Sequence, residues 1–165
     1  TEMLFYLSLI RKHQFFMENK RSVKPKITKS ISKKVANLIL RKDFASKSLG
    51  IELIDISPGK CQLEMVVKKN MLNGFGVCHG GIITTLADSA FAFACNSYNE
   101  LALASSINVD FLKPANLDDK LIAIAHEINL SFRNGLYNVD VFNGSKELIA
   151  TMRGRSVKKP KTTFI

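Results

Sequence analysis

Apolar residues cover nearly every side of the stretch from His79 to Ser97, HGGIITTLADSAFAFACNS, which predicts one long helix opened by glycines. A helix that is apolar all round belongs in a membrane or at the centre of a fold. Asp88 lies in its middle, and an ionised carboxylate is costly to bury unless partners or a water-filled site hold it. A membrane span would also need about 18 apolar residues without such a charge. We therefore expect a soluble protein with a buried central helix, whose acid faces a functional cavity.

The segments on either side of this helix alternate between apolar and polar residues, as half-buried strands do. Residues 51–68 predict two strands that join at a turn over residues 57–60, which contain a Pro-Gly pair. Residues 105–112 and 121–133 predict two further strands after the helix. In the second of these, one face carries Ile122, Ile124, His126, Ile128, Leu130 and Phe132.

Two Asn-Gly pairs divide the rest of the chain into strands. Asn134-Gly135 is a strong signal for a two-residue hairpin turn, and Asn143-Gly144 predicts another turn before the segment from Glu147 to Val157. One face of an antiparallel sheet has to be covered, and one very apolar helix is available to cover it. The sequence therefore predicts an α+β fold in which an antiparallel sheet wraps around one long central helix.

Charge separates the start of the chain from the rest. Of the formal net charge of +10, residues 1–47 carry +9 from 12 Lys or Arg against 3 Asp or Glu. The remainder is close to neutral, which argues against a nucleic-acid-binding protein. We expect residues 1–35 to form a basic extension, exposed as a linker over residues 22–34. Residues 36–165 then form the folded domain, entered through a short amphipathic helix between Val35 and Lys47.

The composition also bears on the compartment. The apolar segment near the start, LFYLSLI, is too short to span a bilayer and lacks a following cleavage site. Its basic surroundings would suit organellar targeting, or a peripheral helix. The three cysteines, Cys61, Cys78 and Cys95, are odd in number and have no CxxC spacing. They favour free thiols in a reducing compartment, so we expect a cytoplasmic protein unless the basic segment directs it to an organelle.

Three segments carry a family resemblance. Residues 71–97, MLNGFGVCHGGIITTLADSAFAFACNS, resemble the signature of the PaaI-type thioesterases of phenylacetate degradation, which have the hotdog fold. The segments ASSINVDFLKPAN and ATMRGRS resemble the matching strands, so that the likeness extends over residues 36–160. The resemblance implies hydrolysis of acyl-CoA thioesters, often with aryl or hydroxyaryl acyl groups. It also implies a homodimer, paired further into a tetramer, and no cofactor, since coenzyme A is part of the substrate.

Thioester hydrolysis requires an attacking group and a site that stabilises the developing oxyanion. Gly80 and Gly81 open the predicted helix, where backbone N–H groups are free at the positive end of its dipole. Without side chains they let a carbonyl oxygen approach closely, although two glycines also suit a plain tight turn. By the resemblance Gly80 donates the N–H and Asp88 is the nucleophile or general base. The alternative for Asp88 is a structural cap or ion pair.

The spacing of these two residues has a consequence for assembly. Eight residues separate Gly80 from Asp88, or about 12 Å along a helix. Both cannot reach one thioester carbon from the same chain. We therefore expect a site shared by two subunits, with Gly80 from one and Asp88 from the other.

The resemblance assigns further residues to the site. Asn73 matches a position that orients the thioester or the attacking group, although an Asn-Gly turn would explain it equally well. His79 takes a supporting, hydrogen-bonding role, and no spacing of His, Cys and Asp suggests a metal site. Predicted substrate contacts are Ser105, Ser106, Lys113, Pro114, Asn116, Arg133 and Asn134. The cations among them could equally be solvated surface charges.

The function predicted from the sequence is thus an acyl-CoA thioesterase. The alternative is an acyl-CoA-binding or regulatory module with the same fold and no turnover. Against that alternative stands the presence of Asn73, Gly80 and Asp88 together. A dehydratase of the same fold is the weaker alternative, since its Asp/His pairing is not evident.

Overall fold

A computed structural model describes residues 27–165. One antiparallel sheet of six strands, in the order β1-β2-β4-β5-β6-β3, packs against a long central helix, as predicted. The helices are α1 (Lys29–Lys42), α2 (Phe44–Leu49) and α3 (Gly80–Asn96), with a short 3-10 helix at Lys69–Met71. The strands are β1 (Glu52–Ser57), β2 (Lys60–Val66), β3 (Ala102–Phe111), β4 (Lys120–Leu130), β5 (Asn134–Phe142) and β6 (Leu148–Lys158).

The central helix α3 is bounded by the two residues at which the predicted stretch begins and ends. His79 is its N-cap and Ser97 its C-cap, and α3 contacts every strand of the sheet. At the C-terminal end the Ser97 hydroxyl donates to the Ala94 carbonyl at 2.7 Å and accepts from the Gly59 N–H at 2.8 Å. The same serine therefore satisfies the last turn of the helix and holds the β1–β2 turn. No helix of the described residues is long and apolar enough to cross a bilayer.

The large side chains of the core come from both the sheet and the central helix, and small residues of the sheet leave room for those of the helix. Phe91 is fully buried, and its ring centroid lies 5.4 Å from that of Tyr137 on β5. A Cβ at Gly154 on β6 would lie 3.1 Å from three ring carbons of Phe91. Ala123 and Ala125 of β4 are fully buried, so small residues let the strand approach the helix. The isoleucine face predicted for this segment is therefore the outer face, where Ile124 is 40% exposed.

The predicted hairpin turn at Asn134-Gly135 is wrong by two residues. The chain turns at residues 132–133, and both Asn134 and Gly135 lie in β5, where Gly135 pairs with Leu130. A Cβ at Gly135 would lie 2.6 Å from the Ser156 hydroxyl and 2.6 Å from a ring carbon of Tyr137. Position 135 is glycine because the core leaves no space there, and a turn conformation is not the reason.

The predicted linker over residues 22–34 is also wrong where the structure describes it, because α1 begins at Lys29. Thr28 caps that helix, and Ser32 and Val35 are buried against the body. The Ser32 hydroxyl donates to the carbonyl of Ser97 at 2.9 Å. The predicted domain boundary after residue 35 thus falls inside a packed helix. The predictions for residues 1–26, including organellar targeting, lie outside the described residues.

Candidate active site

The loop before α3 is held by two of the predicted site residues. The Asn73 side-chain oxygen accepts from the N–H of Phe75 at 2.9 Å and from that of Val77 at 3.3 Å. The Asn73 N–H also donates to the Val77 carbonyl at 2.8 Å. Asn73 therefore has the turn-forming contacts of the simpler explanation, with its side-chain amide N–H group left without an acceptor among the described residues.

His79 caps the central helix through its side chain. Its Nδ1 accepts from the N–H of Gly81 at 2.9 Å, and its own N–H donates to the Met71 carbonyl at 2.8 Å. A neutral imidazole that accepts at Nδ1 carries its proton on Nε2. The cap leaves the N–H of Gly80 without an acceptor among the residues described here. The backbone N–H that the family resemblance assigns to the oxyanion, that of Gly80, is thus available to a substrate.

A cleft of about 400 Å³ opens beside Gly80. Its lining is largely apolar and includes two of the predicted substrate contacts, Lys113 and Pro114. Lys113 forms a 2.6 Å ion pair with Glu147, and this lysine is the main reason that the pKa of Glu147 lies below its ordinary value. One of the two cations among the predicted substrate contacts is therefore already paired in the single chain.

Asp88 lies half-buried on α3, away from that cleft. Its Oδ1 is buried and has no hydrogen-bond partner within residues 27–165. Burial raises the pKa of this carboxyl above the ordinary value for aspartate. An acid with a raised pKa and an oxygen without a hydrogen-bond partner suits proton transfer. The alternative considered for Asp88, a structural cap or an ion pair, is not present in the described chain.

A second cleft, of about 420 Å³, joins two other predicted contacts, Ser105 and Asn134, with Arg155 and Ser156. The Ser105 hydroxyl donates to the Arg155 carbonyl at 3.1 Å, where a bulge interrupts the pairing of β3 with β6. The two clefts have no lining residue in common, and Asp88 lines neither.

The remaining predicted contacts are dispersed. Ser106 pairs with Arg155 across β3 and β6 and lies outside both clefts. Asn116 donates its backbone N–H to the Asp119 carboxylate at 2.7 Å, and Arg133 lies exposed in the β4–β5 turn. No group of three or more His, Cys, Asp or Glu side chains in the described part of the chain is arranged to hold a metal ion.

Comparison with known proteins identifies relatives that are similar to this chain in sequence and in fold. Residues 75–150 match the thioesterase superfamily. The acyl-coenzyme A thioesterase PaaI of Escherichia coli is 38% identical over 121 residues, which are 73% of this chain and 86% of that protein. The E. coli PaaI structure, from the phenylacetic acid degradation operon, superposes with a TM-score of 0.80 at 35% identity, over 82% of this chain and 98% of that one. Human acyl-coenzyme A thioesterase 13 is 27% identical over 80% of this chain and 95% of its own length.

The chain belongs to the PaaI-type acyl-CoA thioesterases. Its sheet and central helix are the hotdog fold that the sequence predicted.

In this PaaI-type chain β3 is an edge strand, and one of its sides pairs with no other strand of residues 27–165. It is ten residues long, and Leu103, Ile107 and Phe111 are 60%, 41% and 53% exposed. A long apolar edge with free backbone groups is a template for pairing with another chain. The single thioesterase subunit thus has two separate clefts, an acid that lines neither of them, and an exposed edge strand.

Two contacts at the site were missed by the sequence reasoning. Phe111 packs its ring against Gly80, and Glu147 forms an ion pair with Lys113. Each pair is separated by more than 30 residues, and neither side chain has a spacing signal that links it to the helix.

Proposed function

We propose that this thioesterase hydrolyses acyl-CoA thioesters with aryl or hydroxyaryl acyl groups, giving the free acid and coenzyme A. The free N–H of Gly80 at the start of a capped helix is the observation that carries the proposal. A donor already in place at the positive end of a helix stabilises the negative charge that develops on the thioester oxygen. The His79 cap fixes the first turn and so fixes the direction of that donor.

Asp88 supplies the attacking chemistry in this proposal. As general base it takes a proton from a water molecule that attacks the carbonyl carbon. As nucleophile its oxygen attacks that carbon directly and forms a mixed anhydride, which a water molecule then hydrolyses to the free acid and the restored carboxylate. In both routes the thiolate of coenzyme A leaves and is protonated. The raised pKa of Asp88 favours the general base, because a base works best when its pKa approaches the working pH.

The active site is assembled between two copies of the chain. Gly80 is the first residue of α3 and Asp88 is the ninth, so they are about 12 Å apart along the helix axis. The open edge of β3 offers a surface for a second copy. In a closed two-fold dimer each subunit presents the same patch to the other, so two equivalent sites arise. The outer face of β4, where Ile124 and Ile128 are 40% and 46% exposed, supports further pairing of dimers into a tetramer.

The substrate class rests on two points. The E. coli PaaI structure comes from the phenylacetic acid degradation operon. The cleft beside Gly80 is lined by Val77, Ile83, Phe111 and Leu112, an apolar set that suits an aromatic acyl group. We also propose a reducing compartment such as the cytoplasm, because the cysteines of the described chain, Cys61, Cys78 and Cys95, are free and buried.

A mixing experiment tests the shared site. One inactive variant carries Asp88→Asn and the other Gly80→Val, whose side chain meets Phe111 and blocks the carbonyl. After joint unfolding and refolding, about half of the dimers are mixed, and each mixed dimer has one intact site. About a quarter of wild-type activity should then return in a thiol-release assay.

Chromatography of each variant alone is the control for assembly. Confirmed mixed dimers that remain inactive would show that each site lies within one chain.

A further inference from the structure

The ring of Phe111 lies against the residue proposed to bind the oxyanion. Three of its carbons, Cζ, Cε2 and Cε1, are 3.0, 3.3 and 3.4 Å from the point that a Cβ on Gly80 would occupy. Contacts of 3.0–3.4 Å are tighter than nine in ten that real Cβ atoms make, so the ring would have to shift by a few tenths of an ångström to admit one. The tip of the ring therefore fills the space that a side chain at position 80 would need.

The backbone holds this ring in place. Phe111 is the last residue of β3 and pairs with Ala150 of β6. The next two N–H groups, of Leu112 and Lys113, both donate to the carbonyl of Ile149, at 2.8 and 3.1 Å. The Cys78 N–H, just before α3, donates to the carbonyl of Ala115 at 2.8 Å. These bonds tie the end of β3 both to β6 and to the start of the helix, so the contact between ring and glycine is built into the fold.

In the single subunit the rest of the ring faces the cleft. Phe111 is 53% exposed and lines the 400 Å³ cleft beside Gly80. One part of the ring thus covers the glycine while another forms the wall of the cleft. Gly80 and Phe111 line the same cleft, so an acyl group bound in it lies beside the ring.

We propose that Phe111 is a specificity-determining residue: its ring sets the size of the acyl group that can bring its carbonyl to the Gly80 N–H. The same ring is the reason that position 80 is glycine. This inference rests on the proposed thioesterase function and adds to it the residue that selects the substrate. It gives Gly80 two distinct roles, because its N–H binds the oxyanion while the absence of a side chain makes room for Phe111.

The first test is a substrate panel of acetyl-, hexanoyl-, benzoyl- and phenylacetyl-CoA with the full chain. Phe111→Ala removes the wall, and Phe111→Leu keeps an apolar side chain while removing the ring. The ratio of kcat/KM for phenylacetyl-CoA to that for acetyl-CoA should change by about tenfold in Phe111→Ala, the lower end of what pocket-shape changes produce. Phe44→Ala is the matched control, since Phe44 is an exposed phenylalanine of α2 outside both clefts.

The second test is a double-mutant cycle at the contact itself. Gly80→Ala in the wild-type background pushes the ring into the cleft, so kcat/KM should fall about tenfold, as for residues in direct contact. In the Phe111→Ala background the added methyl group has space, and Gly80→Ala should cost about twofold or less. The melting temperature should follow the same pattern, which gives a readout that needs no turnover.

The outcomes separate the two proposals. A wild-type protein that hydrolyses none of the panel overturns the thioesterase function, while the melting-temperature cycle still reports on the contact. Hydrolysis by the wild type with the same substrate ratios in Phe111→Ala, Phe111→Leu and Phe44→Ala overturns the inference alone. An equal loss from Gly80→Ala in both backgrounds also overturns it, since the glycine would then be needed for the substrate and not for the ring.

Discussion

Replacing Asp88 by asparagine separates its chemical role from its structural cost. The substitution removes the charge and the basic oxygen while keeping the shape of the side chain. If Asp88 is the nucleophile or general base, kcat should fall by about 100- to 10,000-fold, the usual contribution of such a group. A 100-fold loss alone corresponds to about 2.7 kcal/mol in the activation free energy.

The same substitution should not destabilise the protein. The pKa of Asp88 is raised by burial, so the folded chain favours the protonated form more than the unfolded chain does. The stability that this carboxyl contributes is complete below the unfolded pKa, near 3.8, and is lost as pH rises through the folded pKa. At pH 7 the ionised group therefore costs stability, by about 1 kcal/mol for a half-buried side chain with one unpaired oxygen. Relief of that cost corresponds to a rise in melting temperature of about 2–4 °C.

Two measurements check the reasoning. Thiol release is followed with a saturating aryl-CoA, and melting curves are recorded for wild type and Asp88→Asn at pH 7 and at pH 4. The gain in melting temperature should be larger at pH 7 than at pH 4, because burial raises the pKa of Asp88 and the wild-type carboxyl gains its proton as the pH falls. Turnover within a few-fold of wild type would refute the catalytic assignment. A fall in melting temperature at pH 7 would show that the carboxylate has a stabilising partner in the assembled protein.

Three further predictions follow from the described contacts. Deleting residues 1–26 should leave activity and oligomeric state unchanged by assay and light scattering. Deleting residues 1–35 should lower the melting temperature, because it also removes the buried Ser32 and Val35; equal behaviour of the two truncations would show that α1 adds no stability. Gly135→Ala should cost about 1–3 kcal/mol in denaturant unfolding by overpacking, while Gly144→Ala, with nothing within 4 Å of its Cβ, should be neutral. The acidic limb of the kcat/KM–pH profile should lie above the ordinary aspartate pKa of 3.8 because burial raises the pKa of Asp88, and a limb at or below that value would exclude Asp88 as the group observed.

Local patterns were sufficient for the elements and the fold. The run from His79 to Ser97 predicted the central helix, since an all-apolar helix has only one place in a small domain. Alternation of apolar and polar residues predicted the strands, and the two together predicted the wrapped sheet. The site residues Gly80 and Asp88 remain predictions, supported by a free N–H and an unpaired buried oxygen.

Tertiary packing decided what alternation leaves open. Periodicity places the isoleucines of β4 on one face without saying which face is buried; in the structure Ala123 and Ala125 of the other face are buried, and Ile124 is 40% exposed. An Asn-Gly pair is a turn signal by local preference, yet Gly135 lies within a strand because Tyr137 and Ser156 occupy the space of a side chain.

The sequence by itself determined which residues are helical, which alternate, and which family motif the chain carries, because each of these depends on neighbours within about one helical turn or one strand. Only the tertiary structure decided that α1 packs on the body, that Glu147 pairs with Lys113, and that the ring of Phe111 lies on Gly80. The physical reason is the same in each case. Close packing fixes which distant side chains meet, and that depends on volumes and on where strands end, which no local pattern of polarity records.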